Sequence, residues 1–425
     1  MKILLIAGQH WNSWEALGLG YIARAVQHHF PEVEIEFYHG SFDHRERILN
    51  AAAGVDLIGY SATSQSYGWS KQLAQAIEER HPLSSRRHVL GGYHASAVPE
   101  EVIEDGVFGQ VVAGYGEKAF CDIIRGVTQP ILYGGLDETA FQMCEYLDRH
   151  FIQSGRHIRE TEINDGKRIM SIHGQRGCPH NCTFCADGNN CMSQGASMLY
   201  RDQRDVLGEL NELEKVWEVE HVKFTDPTWN SNRDWALLFC ALKQQHSNML
   251  EWSANIHAGS SSAELFKLMR ASNCVQVSIG VESGSDEILK RNRKGVRVEQ
   301  VSRALIWARE AGLRVRIHIC LGLPGETQAT CEETYRFLLL HEADFDEIGI
   351  FMFAPYPGSQ IFERHKEEIL PLIESAGGYA SLEAVNNRVW RTEALTNEEI
   401  RKQVSRFQLE FVRKLSWHNQ HYLSR

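Results

Sequence analysis

Three cysteines share the short segment Gly177-Cys178-Pro179-His180-Asn181-Cys182-Thr183-Phe184-Cys185, at the spacing C-x3-C-x2-C. Thiolates ligate both iron–sulfur clusters and structural zinc. Cys178, Cys182 and Cys185 on one tight loop can hold three corners of a cubane 4Fe–4S cluster, which leaves the fourth iron open to a substrate or cofactor. Structural zinc closes with four ligands. The competing reading is therefore a zinc knuckle that borrows His180 or Cys191, or a chance grouping of core cysteines.

Such a loop needs a rigid frame, and the sequence alternates strand and helix patterns on both sides of it. Across residues 1–126, Lys2–Gly8, Glu32–Tyr38, Val55–Ser61, His88–Leu90 and Gln110–Ala113 read as buried strands rich in Val, Ile and Leu. Helical patterns at Ala16–His29, Ser66–Arg80 and Glu117–Arg125 separate them, which predicts an α/β doubly wound parallel sheet. Ligands on such sheets sit beyond the carboxyl ends of the strands. Here that edge is Gln9–Glu15, Ser61–Gly68 and Gly91–Ala97. Residues 127–166 read as a linker with a short helix at Phe141–Phe151. From 167 to 360 six further βα units predict a partial (β/α)6 barrel or a second open sheet, with the cysteine loop directly after its first strand. Their strands are Arg168–His173, His221–Thr225, Glu251–Asn255, Val275–Val281, Arg314–Leu321 and Glu347–Phe353. Residues 361–425 read as a helical C-terminal region. There Thr396-x-x-Glu399 is a capping box, and Ile400, Val404, Phe407, Phe411 and Leu415 repeat at helical spacing, as for a helix packed on the barrel.

Composition narrows the function classes. The 425 residues are 43% hydrophobic and 23% charged, and 44 basic against 55 acidic residues give a formal charge of -11. With no basic run, the chain lacks the electrostatic footprint of a nucleic-acid binder. No apolar stretch reaches the ~18 residues of a membrane span, and the start reads as a strand rather than a signal peptide. Ten cysteines without a paired framework predict reduced thiols and a cytoplasmic location.

The cysteine loop, the βα units and the motifs behind them resemble the radical S-adenosylmethionine (SAM) superfamily. The resemblance implies that Cys178, Cys182 and Cys185 ligate a 4Fe–4S cluster and that Phe184 packs against the SAM adenine. It places Asp226, in Thr225-Asp226-Pro227-Thr228, near the SAM amino group. Glu282 and Ser283, in Gly280-Val281-Glu282-Ser283-Gly284-Ser285, fall at ribose and carboxylate contacts. Gly322 and Glu326, in Leu321-Gly322-Leu323-Pro324-Gly325-Glu326-Thr327, belong to the turn beside the adenine. The sixth strand ends in Ala354-Pro355-Tyr356-Pro357-Gly358-Ser359. A reducing partner such as flavodoxin or ferredoxin is also implied.

The front half resembles the cobalamin-binding domain of one subfamily, through Leu17-Gly18-Leu19-Gly20-Tyr21-Ile22-Ala23, Leu90-Gly91-Gly92-Tyr93-His94-Ala95-Ser96 and Ala113-Gly114-Tyr115-Gly116-Glu117. That implies cobalamin as a cofactor, with Gly91, Gly92 and His94 at its edge. The Asp-x-His-x-x-Gly loop that supplies a cobalt ligand in many such domains is absent; Asp148-Arg149-His150 comes nearest. For His94 a helix-capping role competes with cobalt ligation. His173, His180, His257 and His318 fall near barrel strand ends, but none is marked as acid or base. The resemblance implies hydrogen abstraction from a small-molecule substrate followed by cobalamin-dependent C-methylation. The alternative is dehydration, epimerisation or cyclisation of a small metabolite, such as an amino sugar, without cobalamin. A tRNA methylthiotransferase would need further cysteines in a front half that has none before Cys121. The substrate pocket is expected between the two α/β units.

Overall fold

A computed structural model describes the chain except residues 11–14, 83–86, 137–146, 188–190, 194–197, 247–248, 384–386, 417–418 and 420–425. Its first sheet contains β1 (Lys2–Ala7), β2 (Glu34–His39), β3 (Leu57–Ser61), β4 (Arg87–Gly91), β5 (Gln110–Gly114) and β6 (Ile131–Gly134). All are parallel, in the order β2-β1-β3-β4-β5-β6. Leu5 on β1 lies opposite both Phe37 and Gly59. The order in which strands are added to the sheet reverses between β1 and β3, which opens a crevice at their carboxyl ends. Helices cover both faces, so β5 is buried at every position and β1 at all but Lys2. β6 corrects the linker reading. A four-residue edge strand with an exposed Tyr133 is too short to show a period. Residues 141–146 of the expected linker helix lie outside the described residues, and 149–153 form turns.

The second sheet contains β7 (Ile169–Ile172), β10 (His221–Phe224), β11 (Glu251–Ile256), β12 (Cys274–Glu282), β13 (Arg314–Leu321) and β14 (Glu347–Met352). They are parallel and neighbour one another in chain order, with β7 and β14 as the two edges. A sheet that never reverses and never closes is a partial barrel, which settles that alternative. Buried and part-exposed residues alternate along β11 and β13, because helices cover only the outer face. A short antiparallel pair not read from the sequence, β8 (Gln175–Arg176) with β9 (Leu199–Tyr200), ties the cysteine loop at its base.

The C-terminal helix Asn397–Glu410 starts at the Thr396/Glu399 capping box and buries Ile400, Val404 and Phe407 against the barrel, as its spacing predicts. Leu415 then bridges to Ile348 on β14. Among the described residues, no helix is long and apolar enough to cross a membrane.

A buried ion network joins the two sheets. Arg149 donates to Glu15 at 2.8 Å and to Glu209 at 2.6 Å, and the three side chains are 2%, 1% and 3% exposed. Glu15 also accepts the Ser171 N–H of β7, while Arg201 completes the pairing of Glu209. Buried charges are tolerated only when paired in this way, so the network specifies one docking of the two units.

Candidate active site

The carboxyl edges of the two sheets face each other across a cavity of about 590 Å³. Its first-sheet wall comes from the ends of β1, β3, β4 and β5, and its opposite wall carries His173, Arg176, Thr225 and Asn255. Glycines recur along the first wall, with Gly8, Gly91, Gly92 and Gly114 all on the lining. Gly92 cannot be replaced without strain. Its φ is +91°, and a Cβ there would lie 2.8 Å from the Ala62 carbonyl oxygen. A large cavity with a backbone wall fits a bulky, rigid cofactor better than a small metabolite.

Arg176 and Asp187, which flank the cysteine loop, line this cavity. Asp226 accepts the N–H groups of Gly174 (3.0 Å) and Gln175 (3.1 Å), which aims the chain into the loop. Thr183 donates its N–H to the Asn292 carbonyl, and Ile361 N–H reaches the Thr183 carbonyl. Cys178 Sγ lies 3.6 Å from Thr228 Oγ1, and the Cys185 N–H meets the Cys182 carbonyl at 3.2 Å. Burial pushes the Cys182 thiol up to about 11, opposed by the nearby Lys294 ammonium. Among the described residues, no three His, Cys, Asp or Glu side chains converge into a metal-binding group. The donor set itself is three thiols of one loop, with no fourth cysteine joining them among the described residues, which fits a cluster with an open iron. The candidate zinc partners both pack against neighbouring residues. His180 stacks on His257 at 3.7 Å, and Cys191 packs against Gly358.

Glu282 ends β12 at φ +63°, a left-handed conformation rare outside glycine, beside a shift of register. That turn brings its carboxylate 2.8 Å from Lys294 Nζ. Gly280 makes room for the pair, since a Cβ there would lie 2.8 Å from Nζ. Burial works against the Lys294 charge, yet Glu282 and the Cys182 and Cys185 thiols raise it above the ordinary lysine value. Lys294 also approaches the Phe184 ring at 6.0 Å. The structure thus gathers Phe184, Glu282 and Lys294 beside the cysteines. Lys294 was not anticipated, because nothing in Arg293-Lys294-Gly295 sets it apart from a surface lysine.

Four of the expected contact residues make hydrogen bonds within the protein. Asp226 is 0% exposed and holds the approach to the loop. Ser283, also fully buried, lies 3.1 Å from Thr334 Oγ1 and accepts the Ser285 N–H. Glu326 folds back to accept the Gly322 N–H, and burial pushes its carboxyl up to about 7. In each case the side chain accepts backbone N–H groups of a strand-end turn, and so shapes the edge. His94 turns away from the cavity. Its ring is buried against Tyr67 and Tyr379, with Nδ1 3.1 Å from Ser64 Oγ. Gly322, at φ +88°, carries the turn that Trp390 Nε1 clamps through its carbonyl at 2.7 Å.

The profile of the Radical SAM superfamily matches residues 172–338, and that of the B12 binding domain matches residues 5–124. The chain belongs to the radical SAM superfamily, with a B12-binding domain ahead of the radical SAM domain. An uncharacterized methyltransferase of Pyrococcus horikoshii is 24% identical, over 93% of this chain and 87% of that protein. The anaerobic magnesium-protoporphyrin IX monomethyl ester cyclase of Cereibacter sphaeroides is 23% identical over 86% of this chain, which spans 62% of that relative. The solved radical SAM methyltransferase TsrM of Kitasatospora setae, with cobalamin and a [4Fe-4S] cluster bound, has a TM-score of 0.70 at 16% identity. That likeness covers 95% of this chain and 81% of TsrM, and it shows the fold. The B12-binding and radical SAM domains therefore meet at the cavity described above.

Proposed function

We propose that the chain is a cobalamin-dependent radical SAM enzyme that methylates an unactivated carbon of a small molecule. One observation carries the reading: the cavity at the carboxyl edge of the B12-binding domain is lined on its other side by Arg176 and Asp187, the residues that flank the cysteine loop of the radical SAM domain, so the two cofactors would lie next to each other. When bound, the cluster and SAM supply a 5′-deoxyadenosyl radical, and methylcobalamin supplies the methyl group. Cys178, Cys182 and Cys185 are the cluster ligands in this reading. Phe184 packs the adenine. Lys294 and Glu282 present opposite charges to the carboxylate and ammonium ends of SAM, a match that a buried pair makes at low dielectric cost to either group. Gly91 and Gly92 let the backbone approach the corrin, and the Arg149 network ties together the two domains that wall the chamber. A low-potential donor such as flavodoxin or ferredoxin supplies the electron. The names of the methyltransferase relative and of TsrM support methylation; the cyclase relative supports the alternative, a radical rearrangement or ring closure.

Anaerobic turnover with candidate substrates separates the two. Methylation forms one S-adenosylhomocysteine for each 5′-deoxyadenosine, whereas the alternative forms none. A purified, cluster-loaded protein that takes up no cobalamin rules out the leading version.

A further inference from the structure

The cysteine loop is gripped at both ends by residues of the first sheet's carboxyl edge. Arg176, immediately before Gly177-Cys178, sets its guanidinium 4.5 Å from the Tyr115 ring centroid and 4.9 Å from that of Tyr21. Its Nη2 donates to Glu117 at 2.5 Å, and the two side chains are 5% and 4% exposed. Past the third cysteine, Tyr93 Oη donates to Asp187 at 3.1 Å. Tyr21, Tyr93, Tyr115, Glu117, Arg176 and Asp187 all line the cavity between the domains. A ligand filling that space touches both grips at once.

We propose that these two grips couple the sites: what occupies the cavity sets the placement of the cysteine loop, and the loop sets how the cavity holds its ligand. Arg176 cannot follow a displaced Tyr115 or Tyr21 by swinging into solvent, because doing so would unpair the buried Glu117 carboxylate. Its planar guanidinium between two rings transmits a shift along the backbone to Cys178, two residues on. Tyr93 does the same for Cys185 through Asp187. Arg176, Glu117 and Tyr93 are positioning residues, and their coupling is reciprocal by linkage. The inference rests on the reading of the cavity as a corrinoid site.

The test uses the full chain, reconstituted with its cluster, and titrates hydroxocobalamin under anaerobic conditions. Retained cobalamin is read by absorbance, and the reduced cluster by electron paramagnetic resonance. In the wild type, cobalamin is expected to change the cluster signal. Its affinity is expected to differ about fivefold or more between cluster-loaded and iron-free protein. Tyr93→Phe and Glu117→Gln are expected to bind both cofactors with a smaller signal change and an affinity ratio closer to one. If Glu117→Gln does not fold, Tyr93→Phe, which removes only a hydroxyl, decides. Cobalamin that binds without altering the signal, or variants that keep the full wild-type ratio, overturns the coupling and leaves the corrinoid reading standing. A wild type that retains no cobalamin overturns both.

Discussion

In β1, β3 and β5 nearly every residue is buried, whereas along β11 and β13 buried positions alternate with part-exposed ones. The first sheet is wrapped by helices on both faces; the second only on its outside. On the inner face of the barrel, register sets Ser253 opposite Gln276, Asn255 opposite Ser278, and Ser278 opposite Arg316. A sheet covered on both faces spends its strand side chains on packing, so its ligand edge is built from glycines and from side chains of the loops and helix starts beyond the strands. A partial barrel turns polar side chains inward, so its edge can carry thiols, a carboxylate and an ammonium. One half supplies shape and the other supplies reacting groups, and neither makes the chamber alone.

The largest expected effect separates the halves outright. Replacing Cys178, Cys182 or Cys185 by Ala should abolish cluster iron and 5′-deoxyadenosine formation while cobalamin retention persists. Iron analysis and product assays on the same preparation check this, and parallel loss of both cofactors would break the division. Next, Gly18→Leu should do the converse. Gly18 lies on the cavity lining, a Cβ there meets no atom within 4 Å, and leucine gains about 1 kcal/mol of helix propensity. The added side chain enters the chamber, so cobalamin retention should be lost with iron content unchanged. Third, Arg149→Ala takes from buried Glu15 its ion-pair partner Arg149 and leaves Glu209 with one partner fewer. It should cost about 3–5 kcal/mol in denaturant unfolding, showing how far the two halves are stabilised as one body.

The smallest effect concerns His94, whose pKa burial pushes down to about 3. The unfolded ring takes a proton near pH 6.5 that the folded ring refuses, so stability falls as pH drops from about 6.5 toward about 3. His94→Gln should flatten that fall by at most about 1.4 kcal/mol per pH unit. His10, His221 and His257, each also pushed down to about 4 by burial, keep part of the slope. Denaturant melts at pH 7 and pH 5 measure the difference.

Much of the frame was legible from pattern. The five expected first-sheet strands and all six barrel strands lie within a few residues of their predicted places, and the tail helix begins at its predicted cap. The alternation in Arg-Val-Arg-Ile-His-Ile-Cys-Leu at β13 also held the answer to barrel or open sheet, since a parallel strand buried on one face needs helices on one side only. β6 and the β8–β9 pair escaped because runs of two to four residues carry no period.

At the site, Cys178, Cys182, Cys185 and Phe184 were readable because their spacing is local. Asp226, Ser283 and Glu326 stand in the expected turns, and only the structure shows their partners within the protein, since a motif names a position and not the direction of a side chain. The sequence by itself determined two parallel α/β units and a three-thiol loop after the first strand of the second. Only the tertiary structure decided that Lys294 faces Glu282, that Arg176 reaches Tyr21 and Tyr115, and that the two strand edges enclose one cavity. Periodicity and spacing are properties of neighbours along the chain. A cavity wall and a buried ion pair are drawn from segments far apart in it, brought together by burial of both faces of one sheet and the outer face of the other.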